Sequence, residues 1–437
     1  MQQKVSVFWF RRDLRLNDNA GLYHALKGKY PVLPLFIFDP DILDKLEDQD
    51  DARVTFIHQT ISALSKQLQT HQSALLVKHI NVDQAWNQVL TEFDVAEVYT
   101  NQDYEPYATQ RDGAINQKLA ERSIPFNTYK DQVIFEKCEV VKDDGKPYTV
   151  FTPYKNKWYN KLSPFYLKSY PTEQYLHNLF KTGPLPIPTL QQIGFIESGL
   201  SFPDKRYKSI IADYGENRNF PAIAGTSHIG LHLRFGTVSI RQLAQDAYKA
   251  DEKTWLNELI WRDFYMMILY HFPKTVTHAF KPEYDYIKWR NNETDFAAWC
   301  NGQTGYPLVD AGMRELNATG YMHNRVRMLV ASFLSKHLLI DWRWGEHYFA
   351  CKLLDYEMAS NVGGWQWAAG SGTDAAPYFR IFSPEIQLKK FDPKLEYIKK
   401  WVPEYADFST YPKPIVEHAL ARDRCLKTFK EALTGNV

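Results

Sequence analysis

The sequence predicts an α/β domain built on a doubly wound parallel sheet, followed by an all-helical domain. Three observations carry this reading. Short apolar runs alternate with helical segments from residue 4 to about 130, eight of the 23 prolines then crowd into residues 139–205, and long helical patterns take over from about residue 206. The 437 residues are enough for two or three packed units at roughly 150 residues each. With 44% apolar and 24% charged residues, the composition is that of an ordinary globular chain and excludes disordered or fibrous classes.

The elements follow in order. VSVFWF reads as a strand, NAGLYHALKG as a helix, PVLPLFIFD as a strand and VTFIHQTISALSKQLQTH as a helix. SALLVKH and VAEVYT continue the strands, with DQAWNQVLTEF and YATQRDGAINQKLAER as the helices that follow them. A sheet wound this way places its pocket at the carboxyl ends of the strands. RRDLRLND stands after Phe10, so the glycine fingerprint of a dinucleotide-binding turn is absent. The boundaries are residues 1–138 for the α/β domain, 139–205 for a long connector and 206–437 for the helical domain, where EKTWLNELIWRDFYMMILYHF and MHNRVRMLVASFLSKHLLI are the strongest helical patterns.

Charge and cysteine usage narrow the class further. Residues 1–138 carry 15 Lys/Arg against 19 Asp/Glu, which leaves 37 against 32 for the remaining 299, an excess that permits a local basic patch. Cys138, Cys300, Cys351 and Cys425 show no paired spacing and read as reduced thiols of a cytoplasmic protein. The N-terminus has no secretory pattern, and no apolar run approaches membrane-spanning length. There is no Walker A loop and no metal-ligand spacing, and GTSHIG fails the spacing of a nucleophile elbow, so a hydrolase is disfavoured.

Three stretches carry chemistry. Thr226 and Ser227 before Gly230 offer two hydroxyls and a close backbone approach suited to phosphate, or else a helix cap. On the helix starting near Glu252, Trp255, Glu258 and Arg262 recur at helical spacing with Trp261 and Tyr265 on a neighbouring face, and charges interleaved with aromatics need partners. Asp355 to Asp374 packs paired glycines beside Trp365 and Trp367, where the backbone can approach a flat ligand, the alternative being a structural loop.

These stretches, with FWFRRDLRLNDN, TGYPLVDAGMRELNATGYMHNRVRM, NVGGWQWAAGSGTDAAPYFRIFSP and KFDPKLEYIKKWVPE, resemble the photolyase and cryptochrome flavoproteins, and within them the class I cyclobutane pyrimidine dimer photolyases of bacteria. The resemblance implies the photolyase/cryptochrome fold and FAD, active in its reduced anionic form, held in the helical domain. The implied cofactor contacts are Tyr214, Thr226, Ser227, His228, Ile229, Gly230, Trp255, Arg262, Arg327, Asp355, Glu357 and Asn361. Gly230 stands where the family often has Ser, and Glu357 where many relatives have Asp.

The same resemblance implies blue-light-driven electron transfer from FAD to a pyrimidine dimer flipped out of DNA, a carbon–carbon lyase reaction by a monomer that needs no metal and no membrane. Glu258, Asn324, Met328 and Asn361 are the implied catalytic positions. Trp261, Trp367, Arg218, Arg325 and Gln387 join Glu258, Asn324 and Met328 as implied DNA and substrate contacts. Trp365, Trp342 and Trp289 match the electron-transfer tryptophans, and Trp299 is read as structural.

Asn361, where cryptochromes carry Asp or Cys, and a chain ending at Val437 without a long polar tail favour repair over the alternative of a cryptochrome-type photoreceptor. His323 alone stands where (6-4) relatives have paired histidines, which disfavours that lesion. The resemblance also implies a second, antenna chromophore, with folate and deazaflavin both open. The Glu that holds folate in relatives corresponds here to Ala108 in YEPYATQRD, and the site could equally be empty.

Overall fold

The computed structural model describes residues 3–407 and 409–435, so Val437 lies outside the described residues. The chain divides into two compact units. The first comprises residues up to Glu136, Lys161–Lys205 and Ile229–Lys249, and the second Lys137–Asn160, Arg206–His228 and the chain from Ala250 onward.

The first unit is a five-stranded parallel sheet in the order β3-β2-β1-β4-β5, made of β1 (Lys4–Phe10), β2 (Val32–Phe38), β3 (Leu76–His79), β4 (Asp94–Asn101) and β5 (Phe126–Tyr129). Strands covered on both faces read as unbroken apolar runs rather than as alternation, and all seven residues of β2 are buried. Pro34 is tolerated in this central strand because it pairs only with Phe8 of β1, while the pairing with β3 begins one residue later at Leu35. The crossovers are α1 (Ala20–Leu26), α2 (Ala52–Gln69), α3 (Val82–Glu92) and α4 (Pro106–Ala120). Side chains of Asn19, Asp51 and Asn81 cap the first three by accepting backbone N–H bonds. β5 was not among the expected strands: its four residues are polar or half-exposed and pair on one side only, which leaves no apolar run to read.

A further helix, α5 (Ile240–Lys249), also belongs to this unit. It carries Arg241, whose guanidinium bonds Asp18 and Asp131, and Arg15 completes this buried network through Asp131 at 2.7 Å.

The second unit is helical: α6 (Thr254–His271), α7 (Pro307–Thr319), α8 (Asn324–Ser332), α9 (Trp342–Lys352), α10 (Met358–Ala369), α11 (Pro384–Phe391), α12 (Glu396–Trp401) and α13 (His418–Thr434). Its core gathers Trp299, Phe333, Trp342, Phe349 and Trp365 around the aliphatic faces of α7 and α8. Residues 139–205, expected as a connector, contain a helix at Phe151–Lys161. Phe151, Tyr154 and Trp158 of that helix are buried, and the Trp158 indole N–H donates to Asp263 of α6 at 3.0 Å. Among the described residues no helix is long and apolar enough to cross a membrane.

Candidate active site

The site is built on α6, α8 and α10. Helix α6 buries Trp255, Leu259 and Phe264 and leaves Glu258, Trp261 and Arg262, which share one face, partly accessible. Each charged group on this face has found a partner, as a weakly solvated charge must. The Glu258 carboxylate pairs with Arg218, and that guanidinium lies 5.3 Å over the Tyr214 ring. Burial raises the carboxyl pKa of Glu258 and the Arg218 cation opposes the rise. Arg262 pairs with Glu357 at 3.1 Å, both side chains being only 10% and 8% exposed. Trp261 is stacked on Phe151 with ring centroids 3.6 Å apart, and Trp255 on Tyr207 at 5.4 Å.

Helix α8 is capped by His323, whose Nδ1 accepts the Arg325 backbone N–H at 3.1 Å. Burial, followed by Arg325 and Arg327, pushes the imidazole pKa down to about 4, so the cap stays neutral. Asn324 is exposed at the helix start. Arg325 bonds Asn219, approaches the Met328 sulfur at 3.6 Å and lies 4.5 Å over Phe391. Arg327 pairs with Asp355 at 2.9 Å and donates through Nε to the Met322 carbonyl at 2.6 Å.

The paired glycines, expected to let the backbone approach a flat ligand or else to belong to a structural loop, lie inside the helix α10, where they serve two different ends. A Cβ on Gly363 would stand 2.3 Å from the Tyr265 ring, so this glycine is what lets α10 close on α6. A Cβ on Gly364 would meet no atom within 4 Å. That open face sits three residues from Asn361, whose amide nitrogen donates to the Glu346 backbone oxygen at 3.1 Å and carboxylate at 2.9 Å. Trp365 is buried next to Trp299, at 6.1 Å, and Trp342 belongs to the same cluster with Trp289 packed against it. Trp367 is half-buried against this cluster, and Gln387 is half-buried on α11.

The Thr226 to Gly230 stretch does not act as a side-chain cap. The Thr226 hydroxyl bonds the Tyr321 hydroxyl at 3.0 Å, the His228 ring stacks on Tyr321 at 3.8 Å, and the short helix Gly230–Arg234 has no side-chain cap. Ser227 is half-buried beside them, while Ile229 and Gly230 fall in the first unit. Phe151, Tyr321 and Glu346 were missed by sequence reasoning. Each meets its partner through tertiary packing, and no local pattern marks it.

The residues fit a large, flat, anionic cofactor such as FAD. Asp355 Oδ1 and Trp365 Nε1 are buried without hydrogen-bond partners, the face at Gly364 is open, and the guanidinium groups of Arg262 and Arg327 are fixed by Glu357 and Asp355. In the first unit, position 108 is a buried alanine without a carboxylate, and the neighbouring Glu105 is engaged with Arg12 and Arg234.

Comparison with known proteins agrees with this chemistry. The DNA photolyase family model matches residues 6–174, and the model of the FAD binding domain of DNA photolyase matches residues 255–410. The deoxyribodipyrimidine photo-lyase of Synechococcus sp. is 38% identical over 467 residues, covering 97% of this chain and 95% of that protein. A bacterial class III photolyase from Agrobacterium tumefaciens is similar with a TM-score of 0.86 at 30% identity, over 99% of this chain and 98% of that one. An archaeal photolyase from Sulfolobus tokodaii, solved with two FAD molecules, gives 0.83 at 33% identity, over 98% and 100%. The chain belongs to the DNA photolyase family.

Proposed function

We propose that the protein is a light-dependent DNA repair lyase that splits cyclobutane pyrimidine dimers. The observation that carries this reading is the face of α10, where Asn361, the open position at Gly364 and the buried Trp365 follow one another in a single helix packed on the Glu258 and Trp261 helix α6. When bound, FAD supplies the light-driven electron that opens the cyclobutane ring. Everything else falls to the chain's own side chains.

Thr226, Ser227, Arg262 and Arg327 would hold the cofactor's phosphates and polar edges, and the spare Asp355 oxygen would accept one of its N–H or O–H groups. With its amide nitrogen occupied by Glu346, Asn361 would have its carbonyl oxygen free to accept a hydrogen bond from the cofactor. On the substrate side, Trp261 is already stacked on Phe151 and forms a flat plate for a flipped base, a contact worth about 1 to 3 kcal/mol. This offsets part of the unstacking cost of a few kcal/mol, which is lowest for a damaged step. Glu258, drawn toward its protonated form by burial, hydrogen-bonds the base edge, and Asn324 and Met328 of α8 contribute further contacts to the dimer. Arg218, Arg325 and Gln387 contact the DNA backbone. Trp342 and Trp289 extend from Trp365 as the route by which the cofactor is re-reduced, and the protein acts as a monomer. Position 108, an alanine, cannot hold a folate through a carboxylate.

The test is direct. Anaerobically reduced protein is mixed with an oligonucleotide bearing one thymine dimer and illuminated with blue light, and thymine absorbance is followed. Recovery in the light and none in the dark is expected. Failure to recover thymine with reduced FAD bound would remove the repair reading and leave a photoreceptor or another lesion.

A further inference from the structure

His323 stands at the head of α8 with two ring nitrogens, of which one is paired. Nδ1 accepts the Arg325 backbone N–H at 3.1 Å, and a ring nitrogen that accepts carries no proton. Burial, followed by the neighbouring cations, holds the imidazole pKa down to about 4, so the ring is neutral and its single proton sits on Nε2. The residue is only 3% exposed, and Nε2 is buried without a hydrogen-bond partner among the described residues. Leaving a buried donor unpaired costs as much as a good hydrogen bond contributes. Capping alone does not explain the side chain, because a serine or threonine would accept the same N–H without burying a second polar nitrogen.

The surroundings supply donors rather than acceptors. The charged and titratable side chains that act on the ring are Arg325, Arg327, His228 and Arg218. Glu315 Oε2 accepts the His323 backbone N–H at 3.2 Å and the Tyr397 hydroxyl at 2.6 Å, so that oxygen is taken. Two of the four neighbours belong to the cofactor side of the site: Arg327 is fixed by Asp355, and the His228 ring is stacked on Tyr321, whose hydroxyl bonds Thr226. Asn324, next in the chain, is exposed and open to a substrate arriving from solution, whereas the His323 ring lies beneath the surface. A donor buried to this degree pairs with a resident group rather than with one that comes and goes.

We propose that the Nε2–H of His323 donates a hydrogen bond to bound FAD, meeting an acceptor oxygen or nitrogen of the dinucleotide. The proposal rests on the reading that FAD lies against Arg327, Asp355 and the Thr226 segment, and adds a contact that the family resemblance does not supply. The imidazole then has two separate duties, Nδ1 holding the start of α8 and Nε2 holding the cofactor. No proton is transferred, and the ring stays neutral throughout.

Substitution separates the two duties. In His323→Asn the side-chain oxygen stands near the position of Nδ1 and keeps the cap, while the donor at Nε2 is lost. In His323→Gln the amide nitrogen reaches the position of Nε2 and keeps the donor, while the cap acceptor is lost. Flavin fluorescence titration of the apoproteins should give an FAD dissociation constant raised roughly 3- to 10-fold in His323→Asn and within about twofold of the parent in His323→Gln. Their melting temperatures should run the other way, with His323→Gln the lower of the two. The parent itself supplies a measurement that needs no variant to fold well: NMR of protein labelled with heavy nitrogen in its histidines and arginines. On addition of FAD, the His323 Nε2–H resonance should move and become protected from solvent exchange. If FAD binds and shifts the Arg327 Nε–H but not His323, the contact is overturned and the cofactor's placement stands. If FAD binds and shifts neither, the placement fails and the proposal with it. Equal protection of Nε2–H before and after FAD, as a trapped water would give, overturns the contact, and so does a His323→Asn protein that binds FAD like the parent.

Discussion

Glu258 is held between two influences of opposite sign: burial favours its neutral form, and the Arg218 cation favours the carboxylate. A group so placed can give or accept a hydrogen bond at a base edge, and a hydrogen bond involving a charged group is worth about 1.5 to 3 kcal/mol. Glu258→Ala should therefore lower the repair rate by roughly 10- to 100-fold at unchanged FAD content, checked by turnover under continuous light and by flavin absorbance. Asn361→Asp replaces an amide that donates to Glu346 with a second carboxylate beside the first, so repair should fall and the flavin spectrum should shift. Trp342→Phe should abolish photoreduction of oxidised enzyme and spare repair by chemically reduced enzyme; normal photoreduction in that variant would remove Trp342 from the route. At this scale the sequence offered candidate side chains through a family resemblance but not their partners. Arg262 and Glu357 are separated by 95 residues, and nothing near either one announces the other.

The helices explain why neighbouring glycines behave differently. Gly363 is needed because α10 comes within touching distance of Tyr265 on α6, whereas Gly364 borders open space. Gly363→Ala should cost about 1 to 3 kcal/mol through overpacking. Gly364→Ala should leave the apoprotein as stable or up to about 1 kcal/mol more so, through helix propensity. Gly364→Phe should keep the fold and lose FAD. Chemical denaturation of the three apoproteins and flavin titration check this ordering, and equal destabilisation by both alanine variants would refute the assignment. The strands β1 and β2 and the helix α6 were legible because their apolar runs are long and their burial uniform. The helix at Phe151–Lys161 escaped notice among prolines, although Phe151, Tyr154 and Trp158 follow helical spacing, and its Pro153 lies in the first turn, where a missing N–H costs little.

For the whole molecule, the C-terminal helix α13 provides a handle on acid stability. His337 and His418 are hydrogen-bonded through Nε2 and Nδ1 at 2.8 Å, and the other charged groups facing His337 are Arg424 and Lys336. Burial, then these cations, hold the His337 pKa down to about 3, so in the folded state it stays neutral while the unfolded chain takes up a proton below about 6.5. The stability this neutral pairing gives is present above that pH and declines as pH falls toward 3. Between pH about 6.5 and 5 the loss should be about 2 kcal/mol, and His337→Gln should flatten it. Thermal melts of parent and variant across that range check the sign, and a parent melting temperature independent of pH would contradict it. His323, lowered to about 4 by burial, adds to the same trend.

Sequence alone was enough for the parallel sheet, the helical character of the second unit and the family. Apolar periodicity and long ordered motifs are local, and each is complete within a few tens of residues. Only the tertiary structure decided that Phe151 underlies Trp261, that Glu346 holds Asn361, that Gly363 and Gly364 have separate duties, and that β5 adds a polar edge to the sheet. These depend on which distant surfaces pack together, and close packing selects partners by shape and by the need to pair buried charge, neither of which leaves a periodic trace in the chain.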